Sequence, residues 1–309
     1  MALSNQRVAY FNGKIVPDSE VAVPFRDRGF KYGDAVFDTS RTFNGKVFKL
    51  EAHVARLMKS LRYLRIDAGL TERRFIEITH DVLGRNAHLL GPDDDWWVSQ
   101  RVSRGSDALD GVPATGPTVI VECTPLPLKS RAKLFRDGIP LIIPSVRRTP
   151  PDSQSPNAKT DNYLNMILGD LEARAQDAEA WALLLDSRGF LSEGIGSNIF
   201  LVRDGALLTP KRQQVLPGVS RATVIELAAQ LGIACAEDDL NPYDAYTADE
   251  AFITSTSLCI CPARSMNGAP FGAGNGAPVP GPVTKRLTDA FRALVQCDFV
   301  AQHLKHLEA

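Results

Sequence analysis

The chain has 309 residues, 44% of them hydrophobic and 23% charged, with a net charge of −1 and an isoelectric point near 6.5. That length exceeds one simple core and fits two domains of ordinary size in a globular protein. Lysine and arginine form no basic stripe of the kind nucleic acid requires, and no apolar run approaches the ~18–20 residues of a membrane span.

Residues 8–16 predict a hairpin around Asn12-Gly13, and Asn44-Gly45 predicts a second tight turn before 45–49. Leu50, Val54, Leu57, Leu61 and Leu64 recur at helical spacing, and a further helix is expected over 72–84. Strands follow at 97–104 and 117–123. The prolines of 124–130 suggest a stiff linker, so the expected division is an α+β domain over 1–123, a linker over 124–136 and a larger domain over 137–309. A polar loop over 149–158 leads to a helix at 162–176 whose apolar face is Leu164, Ile167, Leu168 and Leu171. Then come a strand at 181–185, a hairpin of 197–202 and 206–209, and a helix capped by Ser220 with Val224, Ile225, Leu227 and Ala228 inward. A buried strand at 251–255, a Gly/Pro-rich loop at 272–282 and a last helix at 283–296 complete the chain.

The opening Met1-Ala2-Leu3-Ser4-Asn5-Gln6-Arg7 lacks the apolar stretch of a secretory signal, so a cytoplasmic location is expected. The five cysteines (Cys123, Cys235, Cys259, Cys261 and Cys297) are then expected as thiols. Cys259 and Cys261 share a strand face without a His or second Cys pair beside them, which suggests buried thiols and no metal.

Three groups of residues have chemical potential. Lys159 lies between a polar loop and a helix start, a setting that disfavours a second positive charge; a neutral amine is the form that attacks a carbonyl. Glu193, flanked by Leu191 and Ile195, is drawn toward the interior, where a carboxylate must be paired. Gly218-Val219-Ser220 opens a helix, Thr254-Ser255-Thr256-Ser257 follows a strand, and Arg56 stands one turn after His53; all suit an anion. Each group also has an ordinary reading as a solvated lysine, a turn-end glutamate, or a cap. There is no G-x-G-x-x-G, no Walker loop, no H-E-x-x-H and no complete nucleophile elbow.

Taken in order, the motifs resemble the class IV aminotransferases. They are Phe11-Asn12-Gly13, then Asp27-Arg28-Gly29-Phe30-Lys31-Tyr32-Gly33-Asp34-Ala35-Val36-Phe37, then Phe48 to Leu57 with His53 and Arg56. Lys159-Thr160-Asp161-Asn162-Tyr163-Leu164, Leu191-Ser192-Glu193-Gly194, Leu216-Pro217-Gly218-Val219-Ser220-Arg221 and Ala248-Asp249-Glu250-Ala251-Phe252 follow. The resemblance spans nearly the whole chain. It implies fold-type IV, a small α+β domain beside a larger barrel-like α/β domain, and at least a homodimer. It implies pyridoxal 5'-phosphate (PLP) as cofactor, with Lys159 as its covalent anchor and proton shuttle. Glu193 then partners the pyridine nitrogen, Tyr163 the ring hydroxyl, and Leu216 packs on the ring; Arg56, Val219, Ser220, Ser255 and Thr256 form the phosphate cup. Tyr32, Phe37, Thr39, Ser99, Arg101 and Ser257 are the expected substrate neighbours.

Some motifs depart from the family. Branched-chain enzymes commonly have Tyr-x-Arg where this chain has Trp97-Val98-Ser99, so an arginine for the substrate's acid group is missing; Arg41 or Arg101 is the candidate replacement. The Arg-x-His pair of D-amino-acid enzymes is absent from Ser106-Asp107-Ala108-Leu109-Asp110. Ser103-Arg104-Gly105 resembles the motif of (R)-selective amine transaminases and aminodeoxychorismate lyases. The expectation is a transaminase taking an (R)-primary amine or a branched-chain or D-like amino acid, with a 2-oxo acid such as pyruvate as acceptor. The alternatives are an aminodeoxychorismate lyase and a non-enzymatic scaffold.

Overall fold

A computed structural model describes residues 7–109, 111–272 and 278–307. The opening six residues, Asp110, and the centre of the expected loop 272–282 lie outside the described residues. The chain divides into two compact units. One runs to Leu126 and takes back Ala158–Asn162; the other holds Pro127–Asn157 and the chain from Tyr163 onward.

The first unit contains β1 (Val8–Phe11), β2 (Lys14–Pro17), the short helix α1 (Arg28–Tyr32), β3 (Ala35–Phe43), β4 (Lys46–Val47), α2 (Leu50–Leu64), α3 (Glu72–Asn86), β5 (Trp96–Ser103) and β6 (Val119–Pro125). They form an antiparallel six-stranded sheet in the order β2-β1-β6-β5-β3-β4. Both Asn-Gly turns place two successive residues at positive φ (46° and 95° at Asn12-Gly13, 50° and 75° at Asn44-Gly45), the geometry that matches strand twist in a tight hairpin. Strand alternation then separates two faces. Val36, Val98, Val102, Val121 and Cys123 pack with Val54, Leu57 and Leu61 of α2 and with Phe75, Ile78 and Val82 of α3. Phe37, Thr39, Ser99, Arg101 and Glu122 alternate with them and are only partly buried.

Two polar devices fix the edges of this unit. Buried Asp27 accepts hydrogen bonds from Gly29 N, Ser103 Oγ and Thr118 Oγ1 at 2.6–2.7 Å, so it caps α1 and ties it to β5. Arg104 pairs with Asp34 through two hydrogen bonds and donates to the carbonyls of Leu64 and Arg65 at the end of α2. The arginine of Ser103-Arg104-Gly105 is therefore a helix clamp.

The second unit contains α4 (Leu128–Asp137), β7 (Ile139–Ile142), α5 (Leu164–Gln176), β8 (Trp181–Ala182), β9 (Glu193–Gly194), β10 (Ser197–Arg203), β11 (Ala206–Pro210), α6 (Val219–Gln230), β12 (Cys235–Asp238), α7 (Pro242–Tyr246), β13 (Glu250–Ser255), β14 (Cys259–Met266), β15 (Ala269–Pro270), α8 (Pro282–Val295) and α9 (Phe299–Leu304). The sheet order is β12-β11-β10-β13-β14-β7-β8, with β15 on β14 and β9 on β10. The pairs β11–β12, β14–β7 and β7–β8 are parallel; the central pairs β10–β13 and β13–β14 are antiparallel.

Several expectations need correction. The expected linker 124–136 contains most of α4, which buries Leu128, Ala132 and Phe135 at helical spacing; Phe135 meets Phe299 of α9, 6.1 Å between ring centroids. The prolines lie just before α4 rather than inside it. Helix α5 is where expected, yet Leu164, Ile167, Leu168 and Leu171 are exposed (68, 42, 48 and 60%), and the buried side is the small-residue face of Met166, Gly169 and Ala173. Gly218 is the N-cap of α6, not Ser220, whose Oγ donates to Ser255 O. The strand expected over 181–185 is shorter, and α9 was not foreseen. No helix among the described residues is long and apolar enough to cross a membrane.

Helix α8 begins without a side-chain cap from its own N-cap residue, Gly281. Glu250 of β13, 7% exposed, supplies it instead: Oε1 and Oε2 accept Val283 N at 2.9 Å and Thr284 N at 2.8 Å. A Cβ on Gly281 would lie 2.2 Å from Glu250 Cδ, so the close approach demands glycine. Glu250→Ala should lower unfolding stability by about 2 kcal/mol, read from denaturant unfolding curves, because two buried N–H groups lose their acceptors. An unchanged midpoint would show that α8 does not depend on this cap.

Candidate active site

In the first unit, the returning segment 158–162 joins β3 as a short antiparallel bridge. Val36 pairs with Thr160, Phe37 N donates to Lys159 O at 3.0 Å, and Asp161 N donates to Ala35 O at 2.9 Å. Lys159 N donates to Ser60 Oγ of α2 at 3.0 Å. Both sides of its backbone are therefore held, and the side chain, 8% exposed, places Nζ 4.4 Å from the centre of the Phe37 ring.

Arg101 stands opposite Phe37 in the β3–β5 register, its guanidinium 4.8 Å from the same ring. Its Nη1 donates to both oxygens of Asp161 at 2.8 Å. One residue pair along, Thr39 Oγ1 and Ser99 Oγ lie 2.9 Å apart, and Glu122 is opposite Ser99 on β6. Burial pushes the Glu122 carboxyl above its ordinary value, with Arg101 pulling the other way. The structure thus brings Lys159, Phe37, Thr39, Ser99 and Arg101 to one partly open sheet face. Tyr32 is not gathered into this group; it is 57% exposed and stacks with Arg28 and Lys31. Arg41 is excluded as a substrate ligand: 1% exposed, it pairs with buried Asp95 and lies over Phe43.

Arg56, on α2, meets β3 through Asp38. Its Nε and Nη2 donate to Asp38 at 2.7 and 2.8 Å, and His53 Nδ1 is 2.7 Å from Asp38 Oδ1. Burial alone would raise the Asp38 carboxyl, but Arg56 and then His53 more than offset it and hold the group well below 3.8. Burial, the largest influence on His53, depresses its pKa below 6.5 despite Asp38; Arg56 and Lys159 lower it further. An ionised carboxylate only accepts, so neutral His53 carries its proton on Nδ1. Sequence reading named Arg56 and His53 but missed Asp38 between them; the signal was that polar His53 and Arg56 stand on the mainly apolar buried face of α2 and require a buried partner.

In the second unit, Glu193 is 3% exposed on β9, a two-residue strand paired with β10. Oε1 accepts from Arg148 Nε at 3.1 Å and Oε2 from Leu216 N at 2.8 Å. Asn198, opposite Glu193 in the register, donates to Leu216 O, and a Cβ on Gly218 would lie 2.3 Å from Asn198 Oδ1. The Leu216–Ser220 segment is therefore pressed against β10. Val219 and Ser220 form the first turn of α6, and Ser220 Oγ reaches Ser255 O at 3.0 Å. Ser255 and Thr256 lie at the end of β13 and in the turn after it; Ser255 Oγ accepts Leu258 N at 3.1 Å, and Ser257 Oγ accepts from Arg131 of α4. Tyr163 is the half-buried N-cap of α5. Sequence reading missed Arg148, Arg131 and Asn198, whose partners lie 45, 126 and 18 positions away in the chain. Cys123 and Cys261 are buried thiols with pKa values pushed up by desolvation, Cys123 to about 12.

The sign of the pH dependence follows from the Asp38 cluster. His53 has a depressed folded pKa, so its stabilising contribution is complete above 6.5 and is lost as pH falls below it; the Asp38 contribution is complete above 3.8 and is lost below that. Melting temperatures should fall as pH drops below 6.5, and His53→Asn should flatten that part of the profile. A variant profile parallel to wild type would place the titration elsewhere.

Residues 35–266 match the family model for Amino-transferase class IV. A putative branched-chain-amino-acid aminotransferase of Methanocaldococcus jannaschii is 38% identical over 286 residues, covering 92% of this chain and 94% of the relative. The crystal structure of the Escherichia coli branched-chain amino acid aminotransferase superposes with a TM-score of 0.83 at 30% identity, covering 94% of this chain and 95% of that one. The branched-chain aminotransferase of the archaeon Thermoproteus uzoniensis, solved with norvaline, gives 0.80 at 27% identity, covering 98% of this chain and 97% of that one. The chain therefore belongs to the class IV aminotransferases, enzymes that work with pyridoxal 5'-phosphate.

Proposed function

We propose that the amino donor is an aliphatic amino acid of the branched-chain kind and the acceptor a 2-oxo acid such as pyruvate. The observation that carries this reading is the placement of Lys159 Nζ and the Arg101 guanidinium over one ring, that of Phe37. Arg101 supplies a cation for an acid group on the face where the reactive amine stands. The names of the relatives point the same way. A second reading, an (R)-primary amine donor, is favoured by the bidentate contact of Arg101 with Asp161, which already neutralises the cation.

When bound, PLP supplies an electron-withdrawing ring that carries the amino group between donor and acceptor. Lys159 would hold it covalently until the donor's amine takes its place, and the Nζ so released would take the proton from the donor's amine-bearing carbon and return it. Glu193, fixed by Arg148 and Leu216 N, accepts from the ring nitrogen and keeps it protonated. Tyr163 pairs with the ring hydroxyl and Leu216 packs on the ring. Arg56, with Val219, Ser220, Ser255 and Thr256, receives the phosphate. Phe37, Thr39 and Ser99 shape the donor face of the first unit. The residues fit the group: an enclosed lysine, an anchored carboxylate and a helix start whose Gly218 admits no side chain. The apolar stripe of α5 supports a homodimer, since four exposed large aliphatic side chains on one helix call for cover. Five cysteines held as thiols suit the cytoplasm.

Single-donor additions of L-leucine, D-alanine and (R)-1-phenylethylamine to the yellow protein test the donor class. Bleaching by L-leucine, with colour restored by pyruvate, is expected; bleaching by the amine alone supports the second reading, and pyruvate release without an acceptor would indicate a lyase. Arg101→Gln should raise KM for L-leucine about tenfold or more with a smaller effect on kcat, whereas an unchanged KM removes Arg101 from the donor site. Lys159→Ala should abolish turnover. Glu193→Gln should retain PLP and slow the half-reaction sharply; an unaltered rate would exclude Glu193 as the ring partner.

A further inference from the structure

We infer that Asp38 is the positioning residue for Arg56, a buried carboxylate that fixes the guanidinium in the one orientation that meets the cofactor's phosphate. This rests on the reading of Arg56 as a phosphate ligand.

Arginine is a flexible side chain. Its three-carbon stem has many rotamers, and ordering it on binding would cost affinity. Here the ordering is complete beforehand. Nε and Nη2, one edge of the planar fork, donate to Oδ2 and Oδ1 of Asp38, and Nη2 also lies 3.4 Å from His53 Nδ1, so the Nη1 corner of the fork is the one turned away from Asp38. Asp38 cannot swing with its partner. It is fully buried on β3, and Oδ1 also accepts Thr39 N at 2.8 Å and His53 Nδ1 at 2.7 Å. Arg56 itself is 8% exposed on α2, whose Ser60 takes the Lys159 N–H and donates to Arg56 O. One strand and one helix therefore locate both the anchor lysine and the orientation of Arg56.

A simple structural ion pair would stabilise the fold without discriminating between ligands, and that difference provides the test. The full-length chain is equilibrated by dialysis with PLP and, separately, with pyridoxal, which has the same ring and aldehyde but no phosphate. Asp38→Asn should lower the PLP preference over pyridoxal by about tenfold or more, with pyridoxal affinity unchanged. In an Arg56→Gln background the same substitution should lower the preference no further. Equal loss for both ligands, or an unchanged preference, overturns the inference. Arg56→Gln alone separates the two levels: if it leaves the preference intact, the phosphate reading of Arg56 fails; if it collapses the preference and Asp38→Asn does not, only the role of Asp38 fails. Should Asp38→Asn not fold, Asp38→Glu decides, since it keeps the charge but displaces the carboxylate by one methylene. The same fall in preference is expected, and an unchanged preference overturns the inference.

Discussion

Two backbone hydrogen bonds organise the first unit's half of the chemistry. Phe37 N to Lys159 O and Asp161 N to Ala35 O turn a polar loop segment into an extra rung on β3. A lysine on a loop would otherwise sample many positions, and a covalent anchor that wanders cannot also shuttle a proton at a defined atom. The bridge ties the Lys159 backbone to the sheet. Because β3 also carries Phe37 and Asp38, the same strand sets the ring beneath the amine and the carboxylate behind Arg56.

Within each unit, charge is arranged in compensated pairs. Asp38 meets Arg56, Asp161 meets Arg101, and in the second unit Arg148 meets Glu193. A buried charge without a partner would cost several kcal/mol, and the two buried carboxylates of these pairs, Asp38 and Glu193, are each held by an arginine. The gain is orientation rather than net attraction. Neutral His53 belongs to this logic: burial first, and then the neighbouring Arg56 and Lys159, disfavour its charge, and its Nδ1 proton serves Asp38.

Much of this was legible in the sequence, for reasons that differ by residue. The Asn-Gly turns require positive φ and so declared both hairpins. The order of motifs from Asp27 to Phe252 made the family legible and singled out Lys159, Glu193 and Arg56 together as its proposed site residues, although none is informative alone. Other features depend on contacts distant in the chain. The prolines before Leu128 suggested a linker, and only the Phe135–Phe299 contact shows why a helix is stable there. The stripe on α5 was read correctly as amphipathic, but periodicity does not say which side is buried; Gly169, whose added Cβ would lie 3.1 Å from Leu184, lets the small-residue side pack inward. Arg41 and Arg101 are both arginines on neighbouring strands with odd numbers. Their opposite fates follow from Asp95 enclosing one and Asp161 holding the other at the open face.

The most direct test of the central claim, that Lys159 is the covalent anchor, is borohydride reduction of the PLP-loaded full-length protein followed by peptide mapping. Reduction makes the lysine–cofactor bond permanent, so the phosphopyridoxyl mass should be found on the peptide containing Lys159 at near-stoichiometric yield. The same mass on a different lysine, or none after loading, would contradict the assignment.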